Sequence, residues 1–81
     1  MNYREQQDCM WVVNKKCAHR NSWLIQAARN HRLGRDMTYS LANAMWHDKI
    51  ARDYGARRGV RVPAIPDRFI PMLTEHRLLT R

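Results

Sequence analysis

The side chains best suited to chemistry in this chain are two cysteines, four histidines and seven carboxylates, and their spacing builds no recognised reactive centre. Cys9 and Cys17 stand eight positions apart. On one helix that is about 12 Å of rise, too far for a disulfide or a shared metal. Both therefore read as reduced, packed, small hydrophobes. Cys9, Cys17, His19 and His31 include zinc-ligand types but not zinc-finger spacing. His47-Asp48 beside Trp46 has acid–base character, but two neighbouring groups do not make a site without others converging on them. The chain carries no phosphate-binding loop, dinucleotide fingerprint or nucleophile elbow. It reads as a non-enzyme with no catalytic residues, no metal and no cofactor.

Charge is the stronger signal. The net charge is +8, and it is unevenly placed. Residues 1–35 hold seven Lys/Arg against two Asp/Glu, residues 36–55 two against three, and residues 56–81 six against two. The basic ends read as contact surfaces and the near-neutral middle as a packing element. Three basic groups stand out: Lys15, Lys16 and Arg20; Arg29, Arg32 and Arg35; and Arg52, Arg57, Arg58 and Arg61 around Tyr54. Guanidinium groups suit phosphate because the planar fork donates two parallel hydrogen bonds.

These groups need helices to position them. From Tyr3 to Leu33 no Pro or Gly occurs, and Met10, Val13, Cys17, Leu24, Ala27, Ala28 and His31 recur at helical steps. Arg20 interrupts that stripe. A break at Arg20-Asn21-Ser22, with Asn21 or Ser22 capping a second helix, is slightly favoured over one long helix. It would let Trp11 and Trp23 share a core. Gly34 reads as a stop, and Asp36 or Thr38 as the next cap. Tyr39, Ala42, Trp46, Ile50 and Tyr54 then form one apolar stripe, widened by Leu41 and Met45, which places Trp46 in the core, with Gly55 ending the helix.

After Gly55 the chain is basic and then extended, because each residue before a proline is pushed away from helix. Pro71 opens a last helix bearing Met72, Leu73, His76 and Leu79. The expectation is an all-α domain over residues 1–81, a bundle of three to four helices. These would span about 3–19, 22–33, 37–54 and 71–79, with a basic, proline-containing connector at 55–70 before the short last helix.

A helix-turn-helix over Ser22–Tyr54 is disfavoured. Its second helix is aromatic and near neutral, where a recognition helix offers basic or amide groups. Two functions remain. The first is a small accessory or inhibitor protein that binds and modulates a larger protein or nucleoprotein complex of nucleic-acid metabolism. Proteins of this size and texture are of the kind viruses and mobile elements encode, so a phage-type inhibitor of a host nuclease, CRISPR complex or polymerase would fit. Its contacts would come from Arg57, Arg58, Arg61, Ile65, Pro66, Arg68 and Phe69, on a pre-extended segment that docks at low entropic cost. A connector that tucks Ile65 and Phe69 into the core reads the same residues equally well. The second function is a regulator that binds DNA or RNA directly through the three basic groups, with counterion release making affinity salt-sensitive. A homodimer is also open to a domain this small. No apolar run approaches membrane length, and MNYREQQD lacks a leader's apolar core, which points to a cytoplasmic protein without membrane contact.

Overall fold

The computed structural model describes residues 2–78. Asn2 starts the first helix, α1 (Tyr3–Arg32). Its side-chain oxygen accepts the Glu5 N–H at 2.9 Å while its amide donates to the Glu5 carboxylate at 3.1 Å. The first bond satisfies one of the backbone donors that the first turn leaves free, and the second holds the capping side chain in place. The helix then runs 30 residues without a break. Asn21 does not cap a second helix, because its oxygen accepts from Arg20 Nε at 3.0 Å. Trp11 accordingly stays exposed instead of joining a core with Trp23, and Met10 and His31 also fall outside it. At the C-terminal end, Arg29, His31 and Arg32 face the negative pole of the helix dipole, and Gly34 turns the chain at φ +65°.

The second helix, α2 (Thr38–Arg58), runs antiparallel to α1. Asp36 prepares its start, accepting from both the Thr38 N–H at 3.0 Å and the Thr38 hydroxyl at 2.7 Å. These two bonds hold the Asp36 carboxyl below its ordinary pKa. The helix extends past Gly55 and stops at Gly59, whose φ of +65° suits glycine. Gly55 lies inside the helix for a different reason. A Cβ there would sit 2.7 Å from Val62 Cγ2 and 2.8 Å from the Val60 carbonyl oxygen. The returning chain passes where a side chain would be.

The buried face of α2 is Ser40, Leu41, Ala44, Asp48, Ala51 and Gly55. The expected stripe is displaced: Trp46 and Tyr39 are 56% and 72% exposed. Small residues let two helices approach closely, and bulky rings are then forced to the margins of the seam. Ala27 on α1 contributes to the same close contact.

The connector returns along α1 and α2, forms a 3-10 turn at Asp67–Phe69, and enters α3 (Ile70–Glu75). Pro71 lies in the first turn, as its fixed φ favours. The helix stops at Glu75, and Arg77 has positive φ. Leu79, placed on this helix by the sequence pattern, lies outside the described residues.

Two apolar clusters result. One gathers Leu24, Ala27, Met37, Leu41, Ala44, Ile65, Phe69, Met72 and Leu73. The other holds Val13, Cys17, Ala51 and Val60. Burial raises the Cys17 thiol pKa, as expected for an inert packed cysteine. Near the middle of the helix pair sits the buried ion pair of Arg20 and Asp48, at 3.0 Å. Arg20 also donates to the Pro63 and Ala64 carbonyls at 3.0 and 3.1 Å. Arg52 closes the second carboxylate oxygen of Asp48 at 2.9 Å. Arg20 therefore pins the connector to the helix pair, and its charge is compensated where it is buried. The described residues are all helix, turn or coil, with no strand. None of their helices is long and apolar enough to cross a membrane.

Candidate nucleic-acid interface

The connector and α3 cover only one side of the α1–α2 pair. Ile25, Ala28, His31 and Arg32 of α1 border α3. Lys16, His19 and Trp23 lie on another face of α1, at helical steps of three and four. Across the seam from them stand Tyr39, Trp46 and His47 of α2.

On this open side the rings are organised. His19 and His47 stack with centroids 5.3 Å apart and planes 21° apart. Trp46 meets His47 edge to face at 4.9 Å. Trp23 meets Tyr39 edge to face at 5.5 Å. Edge-to-face and stacked contacts fix ring orientation, because they match the positive rim of one ring to the negative face of another. Lys16 Nζ lies 5.8 Å from the Trp46 ring centroid, within reach of a cation–π contact. Partial burial, then the charges of Lys16 and His19, lower the His47 pKa below its ordinary value. His47 Nδ1 is buried and has no hydrogen-bond partner among the described residues.

Further along, Tyr54 donates its hydroxyl to Cys9 Sγ at 3.9 Å, a bond that raises the Tyr54 pKa by favouring the neutral phenol. Arg58 lies over the Tyr54 ring at 3.6 Å and donates to the Tyr54 carbonyl at 3.2 Å. At the other end, a groove of about 500 Å³ is bordered by Trp23, Gln26, Asn30, Tyr39, Ser40 and the acidic Asp36. Aromatic faces, cations and amide groups thus share one open side.

No family model, curated protein or solved structure matches this chain. The assignment of a function accordingly rests on the placement of its own residues.

Of the residues singled out for phosphate contact, Lys15 is exposed, with its Nζ 4.7 Å from the Trp11 ring centroid, and Lys16 is half-buried. Arg29, Arg32 and Arg35 are exposed where α1 ends. Arg57, Arg58 and Arg61 are exposed where α2 meets the connector. Arg52 is exposed but committed to Asp48. Arg20 must be removed from the set, because it is 1% exposed and its fork is spent on Asp48 and the connector.

Among the residues expected to grasp a protein, Ile65 and Phe69 are 7% and 4% exposed and belong to the larger apolar cluster. They hold the connector down and are not presented to a partner. Pro66 is half-buried, and Arg68 is exposed with its guanidinium 4.6 Å from the Phe69 ring. Asp48 is buried in its ion pairs, so His47-Asp48 does not present an open acid–base couple.

The sequence pattern places Tyr39 and Trp46 in the core and reads His19 and His47 only against metal and acid–base chemistry, not as a ring stack beside them. The signal that would have found them is the competing small-residue stripe Ala44, Ala51, Gly55, which marks the true seam.

Proposed function

We propose that this protein is a non-enzymatic nucleic-acid-binding regulator, using exposed Lys and Arg for phosphate and the open α1–α2 side for further contact. The observation that carries the reading is the state of its cations. Among the described residues, the ion pairs are those of Arg20 and Arg52, both with Asp48. Lys15, Lys16, Arg29, Arg32, Arg35, Arg57, Arg58 and Arg61 have no such partner among the described residues. They extend along a molecule 48 Å in its longest dimension. An extended surface of uncompensated cations is what a polyanion binds, through release of its condensed counterions. Burial of Ile65 and Phe69 weakens the competing picture in which those side chains anchor a protein.

The experiment is oligonucleotide binding across a salt series, for the parent and for Arg57→Gln/Arg58→Gln/Arg61→Gln. The parent should bind with a steep salt dependence, and the variant should bind more weakly with a shallower slope. Absence of binding at low salt would reject the reading.

A second reading, an accessory protein that modulates a larger protein of nucleic-acid metabolism, draws support from a groove of about 450 Å³ between α1 and α3. There exposed Ile25 and Pro71 meet Arg32 and Arg68. Recovery from lysate with and without nuclease separates the two. Nucleic-acid binding gives nuclease-sensitive partners, whereas a protein modulator gives a stoichiometric, nuclease-resistant one.

A further inference from the structure

The open side carries more than charge. Tyr39, Asn43, Trp46 and Ile50 follow one another along the outer face of α2 at steps of four, three and four. Tyr39 and Trp46 are two turns apart, about 10 Å along the axis. Both rings are more than half exposed. Both are held edge-on by a neighbouring ring, Trp23 for Tyr39 and His47 for Trp46. A small domain gains by burying large aromatics. These two stay outside it while their orientations are fixed.

We infer that Tyr39 and Trp46 are stacking platforms for the unpaired bases of a single-stranded nucleic acid, with Lys16 taking the adjacent phosphate. The inference rests on the nucleic-acid reading above and specifies its ligand. The chemistry discriminates between single and double strands. A duplex hides the faces of its bases and shows only their edges, which are read by amide and guanidinium groups on an inserted helix. The stripe Tyr39, Asn43, Trp46 and Ile50 offers mainly ring and alkyl surface, its one amide donating to the Tyr39 carbonyl, while Lys49 and Asp53 stand exposed beside Trp46. Single strands leave base faces free, and those stack on aromatic side chains regardless of sequence while cations follow the backbone. Lys16 suits the phosphate role, because its flexible stem can carry the ammonium from the Trp46 ring to a neighbouring anion. Charge complementarity is supplied by Lys15, Lys16, Arg57 and Arg58, which are exposed or half-buried along the same helix pair.

The test is fluorescence anisotropy with a labelled oligothymidylate and a labelled duplex of equal length, at matched salt. Each is titrated with the parent, Trp46→Ala, Trp46→Phe, Tyr39→Ala and, as a control on a different face of α1, Trp11→Ala. Circular dichroism establishes that each variant is folded. The single strand should bind about tenfold or more tightly than the duplex, and Trp46→Ala should remove about a tenfold share of that affinity. Tyr39→Ala should also weaken single-strand binding. Trp46→Phe should retain most of the affinity, and Trp11→Ala should change it little. A folded Trp46→Ala protein that binds the single strand like the parent overturns the inference. So does duplex binding as tight as single-strand binding. In either case, weakening of both ligands by the Arg57→Gln/Arg58→Gln/Arg61→Gln substitution, titrated alongside, leaves general nucleic-acid binding standing. Failure of the parent to bind either ligand at low salt rejects both readings.

Discussion

The two sides of the α1–α2 pair use similar residues for opposite ends. On the covered side, Phe69 and Arg20 are both buried, and each fastens the connector. On the open side, the Trp46 ring and the Lys16 ammonium lie 5.8 Å apart and remain accessible to varying degrees. The difference lies in what crosses over them. The connector passes over one side, supplying carbonyl acceptors for Arg20 and cluster neighbours for Phe69. Nothing in the described chain does the same for Trp46. An aromatic or an arginine thus takes its role from the returning segment as well as from its own helix.

The sharpest way to break this contrast is at Arg20. Its removal leaves Asp48 with Arg52 alone and leaves two connector carbonyls without their donor. Arg20→Ala should cost about 3–5 kcal/mol, the range for breaking one partner from a buried pair. Arg20→Lys should recover only part of that, since an ammonium cannot span acceptors held by a planar fork. Urea denaturation measures both. A variant as stable as the parent would show that the connector is not pinned there.

Phe69→Ala and Trp46→Ala set the two sides against each other directly. Phe69→Ala should cost about 3–5 kcal/mol, as for a fully buried ring. Trp46→Ala should change stability by about 0.5 kcal/mol or less, as for an exposed position. Equal losses in thermal melts would erase the distinction between the sides.

The course of the connector is tested at Gly55. Alanine favours a helix by about 1 kcal/mol over glycine. At this position, however, its Cβ would meet Val62 Cγ2 and the Val60 carbonyl oxygen. Gly55→Ala should therefore destabilise by about 1–3 kcal/mol, as overpacking does. A stabilised variant would place the connector elsewhere.

Much of the fold was legible before the structure. The absence of strands among the described residues, the Asp36 start of α2 and the Pro71 start of α3 each follow from local rules that neighbouring residues satisfy. The unbroken α1 did not, because a buried arginine makes sense only through Asp48, 28 residues away, and the connector, 43 and 44 residues away. Polar Arg20-Asn21-Ser22 looked like a cap and is instead a helix interior satisfied by tertiary partners. The candidate site was half legible. Its exposed cations stood out by charge, whereas Trp46 and Tyr39 were masked by a plausible apolar stripe. Periodicity identifies a face but does not decide whether rings or small residues occupy the seam.

The smallest expected effect concerns acidity. His47 has a folded-state pKa below its ordinary 6.5, caused first by burial and then by the charges of Lys16 and His19. Its contribution to stability is fully present above about pH 6.5 and falls away as the pH drops through the folded value, because the unfolded chain takes up the proton first. Melting temperature should decline on acidification, and His47→Gln should flatten that decline. An unchanged pH profile in the variant would place the titration elsewhere.

The proposed single-strand binding requires that the open side stay bare until the strand covers it. A protein carrying Trp11→Phe and Trp23→Phe reports from Trp46 alone, and acrylamide quenching of its fluorescence reads how open that ring is. The account predicts ready quenching in the free protein and marked protection when oligothymidylate is added. A Trp46 already shielded in the free protein, or one as easily quenched with saturating oligothymidylate as without it, would contradict the account.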